Sequence, residues 1–347
     1  MIEAKGYAAH DAKSVLVPFA FERRTPREQD VQFEILYCGV CHSDIHQARD
    51  EWGGSIFPMV PGHEIVGRVT RVGPGAKKFK PGDLVAVGCL VNSCRTCDNC
   101  KQGLEQYCKD GAVATYNSYE KDGETPTYGG YSNTIVVDES FVLNVPENLS
   151  LEAVAPLLCA GITTYSPLRH WNVGKGHKVG VLGLGGLGHM AVKFASAFGA
   201  EVTILSTSPS KESDARKLGA HRFCLTTKKE NTKALKGYFD FIVDTVSAPH
   251  DYDMFLRMLN TNGVHICVGA PPTPSQFRTF SLIGARRSIA GSMIGGIPET
   301  QEMLNYCSSY NIVSDVEVIP MSYINQAYDR MLKGDVRYRF VIDMKTL

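Results

Sequence analysis

The chain carries no net charge: its 347 residues hold 36 Lys and Arg against 36 Asp and Glu. No polybasic run and no acidic tail breaks that balance, so neither nucleic acid nor an anionic membrane surface is an expected partner. Long apolar runs are missing too. Stretches such as Val154 to Ile162 fall well short of the roughly 20 residues a membrane helix needs. Met1-Ile2-Glu3-Ala4-Lys5 contains no apolar segment of the signal-peptide kind, which makes the cytoplasm the expected compartment. There is no internal repeat and no low-complexity tract. What is left is an ordinary soluble composition, 44% hydrophobic and 21% charged, in a chain long enough for two domains.

The 11 cysteines do not read as a disulfide framework, which belongs mostly to small secreted domains. Cys94, Cys97, Cys100 and Cys108 instead fall in one short, polar, turn-rich stretch with metal-ligand spacing. Four thiolates close a tetrahedral shell around zinc, so a lobe over residues 92–109 is expected to be stapled by a structural ion. An iron–sulfur cluster is the rival reading, since thiolates suit both metals. The proline that often follows such clusters is absent here. Cys38, Cys89, Cys224, Cys267 and Cys307 lie in apolar or strand-like surroundings and read as buried small hydrophobes.

The first 150 or so residues look β-rich. Apolar or alternating runs at Val31 to Tyr37, Ile65 to Val72, Leu84 to Val87 and Tyr131 to Val137 are separated by turn signals such as Pro81-Gly82-Asp83. Ser43 to Asp50 has room for one short helix. From about Ala153 strands and helices alternate. Strands are expected at Lys178 to Leu182, Glu201 to Leu205, Phe239 to Val243, Val264 to Val268 and Arg287 to Ile289. Helices are expected at His189 to Phe198, Pro209 to Leu218, Pro298 to Tyr310 and Ile324 to Leu332, with a last strand at Tyr338 to Asp343. Such alternation implies a parallel, doubly wound sheet. The expected division is 1–152, then 153–290, then a return of 291–347 to the first domain, with the active site in the cleft between the two domains.

Gly183-Leu184-Gly185-Gly186-Leu187-Gly188 follows an expected strand and opens an expected helix, the context that gives a dinucleotide fingerprint its meaning. Gly183 permits the tight turn, Gly185 lets the backbone approach a pyrophosphate, and Gly188 lets helix and strand pack closely. An NAD enzyme would usually carry Asp or Glu at the end of the second strand. Leu205-Ser206-Thr207-Ser208-Pro209-Ser210-Lys211 stands there instead, with hydroxyls and a lysine that suit a 2′-phosphate. NADP(H) is the expected cofactor, although the same residues would also serve as a helix-capping loop.

Cys41, His63 and Cys159 are far apart, and no local spacing joins them. Two thiolates and an imidazole would leave a fourth zinc position open for water or substrate. A bound alcohol must lose its proton before it gives up hydride. Ser43, two residues after Cys41, is placed to accept that proton, and His46 to pass it on towards solvent. Asp44 reads either as a helix cap or as a partner to a zinc histidine.

Over essentially its whole length the sequence resembles the zinc-dependent medium-chain alcohol dehydrogenases. It is most similar to their cinnamyl-alcohol dehydrogenase branch, which includes broad-specificity bacterial aldehyde reductases. The anchors are Gly39-Val40-Cys41-His42-Ser43-Asp44, Pro61-Gly62-His63-Glu64-Ile65-Val66-Gly67, the four-cysteine lobe, Ala155 to Thr163, Gly183 to Gly188, and Gly291-Ser292-Met293-Ile294-Gly295-Gly296. The resemblance implies a GroES-like catalytic domain joined to a Rossmann domain, and two zinc ions per chain. It makes Cys41, His63 and Cys159 the catalytic zinc ligands, with Glu64 beside the metal and able to ligate it in some states. Thr163, Thr245, Gly269 and Ser292-Met293-Ile294 would line the nicotinamide half of the cleft, and Trp52 and Ile294 the substrate pocket. A homodimer joined through the edge near Gly291 to Gly296 is implied by the same analogy. The expected reaction is reduction of aromatic and longer aliphatic aldehydes with NADPH. A polyol or secondary-alcohol dehydrogenase of the same superfamily is the alternative. A catalytically silent binding protein should have lost zinc ligands, and every candidate is retained.

Overall fold

In the computed structural model, which describes Met1–Leu347, the apolar run around Val31 becomes the strand Asp30–Val40. Val31, Phe33 and Ile35 bury one face of it while Glu34 stays exposed, the two-residue period of a strand with one covered side. Asp30–Val40 pairs antiparallel with Ile65–Val72, with Arg339–Asp343 and with Thr134–Asp138. Together with Leu84–Val87, Leu143–Asn144 and Val316–Pro320 these make a seven-stranded sheet. A hairpin of Ile2–Ala8 and Val17–Arg23 stands apart from that sheet. The unit they build comprises Met1–Ile162 with Gly295–Leu347.

Register places the chemistry. Cys38 pairs with Ile65, and Ile65 with Val87, so the residues just past Val40 and just before Ile65 come to the same end of the sheet. Phe340 pairs with Val40, which brings Arg339 to that end as well. Antiparallel pairing thus gathers Cys41, His63, Glu64 and Arg339 from three distant segments.

The second unit, Thr163–Ile294, is a six-stranded parallel sheet. Its strands lie in the order Arg222–Leu225, Glu201–Ser206, Lys178–Leu182, Phe239–Asp244, Leu259–Cys267, Ser288–Gly291. In chain order that is 3-2-1-4-5-6, the doubly wound arrangement. Val179, Val181, Ile204, Phe239 and Ile242 are fully buried. Burying each such side chain contributes about 1.5–3 kcal/mol. The helix Gly186–Ala197 lays Met190 and Phe194 into this core, four residues apart on one face.

Candidate active site

Cys41 ends the strand Asp30–Val40 and precedes the helix His42–Ala48. Its backbone N–H donates to Asp44 Oδ2 at 2.9 Å. The same carboxylate, fully buried, accepts the Tyr131 hydroxyl on Oδ2 at 3.1 Å and the Gly62 N–H on Oδ1 at 3.2 Å. His63 Nδ1 stands 3.1 Å from Asp44 Oδ1. Asp44 is therefore a cap and a histidine partner at once. A carboxylate on Nδ1 fixes the ring with that nitrogen protonated and leaves Nε2 as a ligand. Tyr116 stacks on the imidazole, with ring centroids 5.7 Å apart.

Cys159 follows the short turn Ala155–Leu158 and brings its sulfur to 3.9 Å from Cys41 Sγ. The hydrogen bond with Cys159 holds the Cys41 thiol well below the usual thiol range, and the same contact pushes Cys159 up. Glu64 pairs through Oε1 with the buried Arg339 guanidinium. Its Oε2 is buried with no hydrogen-bond partner, and burial keeps the carboxyl above its ordinary range even with Arg339 beside it. Donor atoms of Cys41, His63, Glu64 and Cys159 all lie within 4.8 Å of one another. Two thiols, one imidazole and a carboxylate with an orphaned oxygen form a donor set that fits zinc.

A second cluster stands on one loop. Sulfurs of Cys94 and Cys100 are 3.8 Å apart, and those of Cys97 and Cys100 3.5 Å. Backbone N–H groups of Cys94 and Cys97 donate to Cys108 Sγ and Cys94 Sγ at 3.3 Å each, as they would to thiolates. Backbone N–H groups of Lys109 and Cys100 draw the Cys97 thiol down to about 6. Four adjoining sulfurs cannot all ionise without a cation, so this set also fits a zinc ion. The lobe is tied to the rest of its unit by Glu105, whose Oε2 accepts the Ile297 N–H at 3.0 Å.

In the second unit the glycine turn follows the strand Lys178–Leu182 at the point where strand order reverses, which is where doubly wound sheets bind nucleotides. Gly183 has φ +88°, and a Cβ on Gly188 would lie 2.2 Å from the Gly183 carbonyl. A Cβ on Gly185 would meet nothing within 4 Å, so space is open where a pyrophosphate would approach. Lys211 Nζ donates to the Leu184 carbonyl at 2.9 Å, which sets it beside this turn. Ser206 is buried, with its hydroxyl accepting the Ser208 N–H at 3.1 Å, and Thr207 is exposed. These residues fit an adenosine phosphate with no carboxylate opposing it. Thr245 and Gly269 lie just past the ends of Phe239–Asp244 and Leu259–Cys267, and both hydrogen bond back to strand carbonyls. Thr163 is buried, Met293 is exposed, and Ser292 and Ile294 are partly buried, Ile294 with φ +39°.

Residues 27–147 match the alcohol dehydrogenase GroES-like domain, and residues 186–309 the zinc-binding dehydrogenase family. Aldehyde reductase YahK of Escherichia coli is 54% identical over 349 residues, covering 100% of this chain and 99% of its own. A probable mannitol dehydrogenase of Fragaria ananassa is 53% identical over 99% of this chain and 95% of its own. Among solved structures, the CAD of Helicobacter pylori complexed with NADP(H) superimposes with a TM-score of 0.93 at 45% identity, over 99% of each chain. The chain belongs to the zinc-dependent medium-chain alcohol dehydrogenases. Its place is on their cinnamyl-alcohol dehydrogenase branch.

Two residues of this dehydrogenase, Glu51 and Arg339, were not singled out from sequence. Glu51 Oε2 lies 2.5 Å from His46 Nδ1. His46 is therefore held by a carboxylate rather than simply solvated, and Trp52, half exposed, stacks on its ring at 4.9 Å. Ser43 Oγ lies 3.6 Å from Cys41 Sγ. Arg339, the partner of Glu64, gave no local signal because its role needs the pairing of the last strand. Cys89 was expected to be an inert core residue, but it is only partly buried. A hydrogen bond to Cys159 is the main cause that lowers its pKa, so it borders the cluster. Cys267 departs from that expectation too, being partly buried beside Asp244 and His265.

Proposed function

We propose that this chain reduces aldehydes to primary alcohols with NADPH, reversibly, and that aromatic and longer aliphatic aldehydes are its substrates. The buried Cys41–His63–Glu64–Cys159 cluster carries this reading. In it Cys41, His63 and Cys159 hold the catalytic zinc, with Glu64 as an alternate ligand, and Cys94, Cys97, Cys100 and Cys108 hold a second, structural ion. Bound there, zinc supplies a Lewis acid that polarises a carbonyl oxygen and eases deprotonation of an alcohol. NADPH, held by Gly183 to Gly188 with its 2′-phosphate towards Ser206, Thr207, Ser208 and Lys211, supplies the hydride. Thr163, Thr245, Gly269, Ser292, Met293 and Ile294 border the nicotinamide.

The protein's own side chains manage the proton. Ser43 Oγ donates to the substrate oxygen on reduction and is reprotonated through His46, whose Nδ1 faces Glu51. Oxidation runs the same path backwards. Asp44 fixes the His63 ring, and Arg339 holds one oxygen of Glu64. Trp52 and Ile294 wall the substrate.

A polyol dehydrogenase is the second reading, favoured by the 53% identity to a probable mannitol dehydrogenase. Turnover of cinnamaldehyde with NADPH, with NADH in parallel, separates the two: rapid oxidation of NADPH is expected, and turnover of mannitol alone would replace the aldehyde reading. Ser206→Asp is expected to shift preference towards NADH by tenfold or more. An unchanged cofactor ratio would sink the 2′-phosphate assignment.

A homodimer is part of the proposal. Ser288–Gly291 is an edge strand, and the neighbouring Phe280 and Ile283 are 81% and 64% exposed. Large exposed apolar side chains beside an open edge support pairing with a second copy. A cytoplasmic location is proposed because metal-ligand cysteines need a compartment that keeps thiols reduced.

A further inference from the structure

A third group of metal-ligand side chains lies in the second unit, outside every residue used so far for zinc. The parallel strands Phe239–Asp244 and Leu259–Cys267 pair Asp244 with Cys267 and Ile242 with His265. Paired residues share a face, and so do residues two apart, so Asp244, His265 and Cys267 project to one side of the sheet. Their donor atoms lie within 4.8 Å of one another. His250 joins from the loop after Asp244, its Nε2 2.9 Å from Asp244 Oδ2.

The cluster is not satisfied by its own hydrogen bonds. His265 is fully buried and gives Nε2 to Asp244 Oδ2 at 3.0 Å, but its Nδ1 has no partner. His250 Nε2 pairs with the same Asp244 oxygen, so one carboxylate oxygen serves two imidazoles while His265 Nδ1 is left bare. Asp244 Oδ1 is occupied by the Val246 N–H at 3.1 Å. Cys267 Sγ has only the Tyr252 hydroxyl at 3.9 Å. Buried polar atoms without partners call for an explanation. An imidazole fixed by a carboxylate through one nitrogen, with the other left bare, is how metal-ligating histidines are usually held.

We propose that Asp244, His250, His265 and Cys267 form a binding site for one borderline-soft divalent transition-metal ion, such as zinc or cobalt(II). Mixed nitrogen, oxygen and sulfur donors select such ions over magnesium or calcium. The Asp244 main-chain carbonyl also accepts the N–H groups of Val268 and Gly269 at 3.0 and 2.9 Å. An ion here would tie the loop carrying His250 to the segment that follows Cys267. The site does not depend on the hydride-transfer reading.

The test is equilibrium dialysis of the zinc-loaded protein against cobalt(II) chloride, with zinc and cobalt counted by elemental analysis. One added cobalt per chain is expected, with zinc content unchanged and with a thiolate-to-cobalt absorption band. Affinity should fall at least tenfold in His250→Gln, a loop substitution that spares the core, and the band should vanish in Cys267→Ala. No added metal, or cobalt that merely replaces zinc, would overturn the proposal. So would an added equivalent retained unchanged in both variants once circular dichroism shows them folded.

Discussion

Cys41 and Cys159 sit buried among groups that only the assembled sheet brings together, whereas Cys94, Cys97 and Cys108 are half buried on a single loop. The donor chemistry overlaps and the surroundings do not. In the lobe every donor is a thiol, sulfurs accept backbone N–H groups from their own turn, and residues 94–108 contain the whole set. In the buried cluster one donor is an imidazole fixed by Asp44, and another is a carboxylate held by Arg339 through one oxygen with the other left free. Four thiolates around an ion leave no place for a substrate, whereas Cys41, His63 and Cys159 alone would leave one position open. On the proposed assignment, the difference teaches that local spacing makes the staple and long-range register makes the reaction centre.

Cys159→Ala and Cys97→Ala test that contrast most sharply. Loss of Cys159 should remove one zinc and lower kcat/KM by about 10³-fold or more, since Lewis-acid stabilisation is worth several kcal/mol. The thermal midpoint should change little by comparison. Loss of Cys97 should also remove one zinc, but lower the midpoint by about 5 °C or more while protein that remains folded keeps most of its kcat. Glu105 on the lobe caps the start of the helix Ile297–Tyr310, so the destabilisation should extend to that helix in hydrogen exchange. Equal losses of activity in the two variants would break the comparison.

Asp44→Asn sharpens it from the buried side. The carboxamide keeps the shape but loses the charge opposite His63 Nδ1 and an acceptor for Cys41 N–H, Gly62 N–H or the Tyr131 hydroxyl. A partner of this kind is worth about 10–100-fold in metal affinity or activity. The loss should appear as faster zinc release to a chelator, with the lobe zinc unaffected.

The same contrast governs what could be read from the chain. Ile65–Val72, Leu84–Val87, Lys178–Leu182 and Ile324–Leu332 form the elements their patterns predicted, because apolar periodicity is local. The four-cysteine loop was legible for the same reason. The hairpin Ile2–Ala8 with Val17–Arg23 was not: its burial alternates, but the inward positions of the first strand are the small residues Ala4, Gly6 and Ala8, which give little apolar signal. Asp44 was legible as either cap or histidine partner, and the fold makes it both. Arg339 and Cys89 carried no signal, as each reaches the cluster only through strand pairing or a turn far away in sequence. The cluster of Asp244, His250 and His265 was hidden in the same way, behind the register of two parallel strands.

The smallest expected effect falls on Glu51. His46 Nδ1 lies 2.5 Å from its carboxylate, and Trp52 stacks on the ring. In the proposed relay, in which His46 passes a proton between Ser43 and solvent, the Glu51 contact would orient the ring. Glu51→Gln keeps a hydrogen-bonding group but removes the charge. A whole general acid–base group is worth about 10²–10⁴-fold, so losing only its orienting partner should cost about 3–10-fold in kcat. Because Glu51 touches neither substrate nor cofactor in this scheme, KM for the aldehyde should hold steady while the solvent isotope effect on kcat rises. A change in KM alone would assign Glu51 to packing beside Trp52 and leave His46 to act without it.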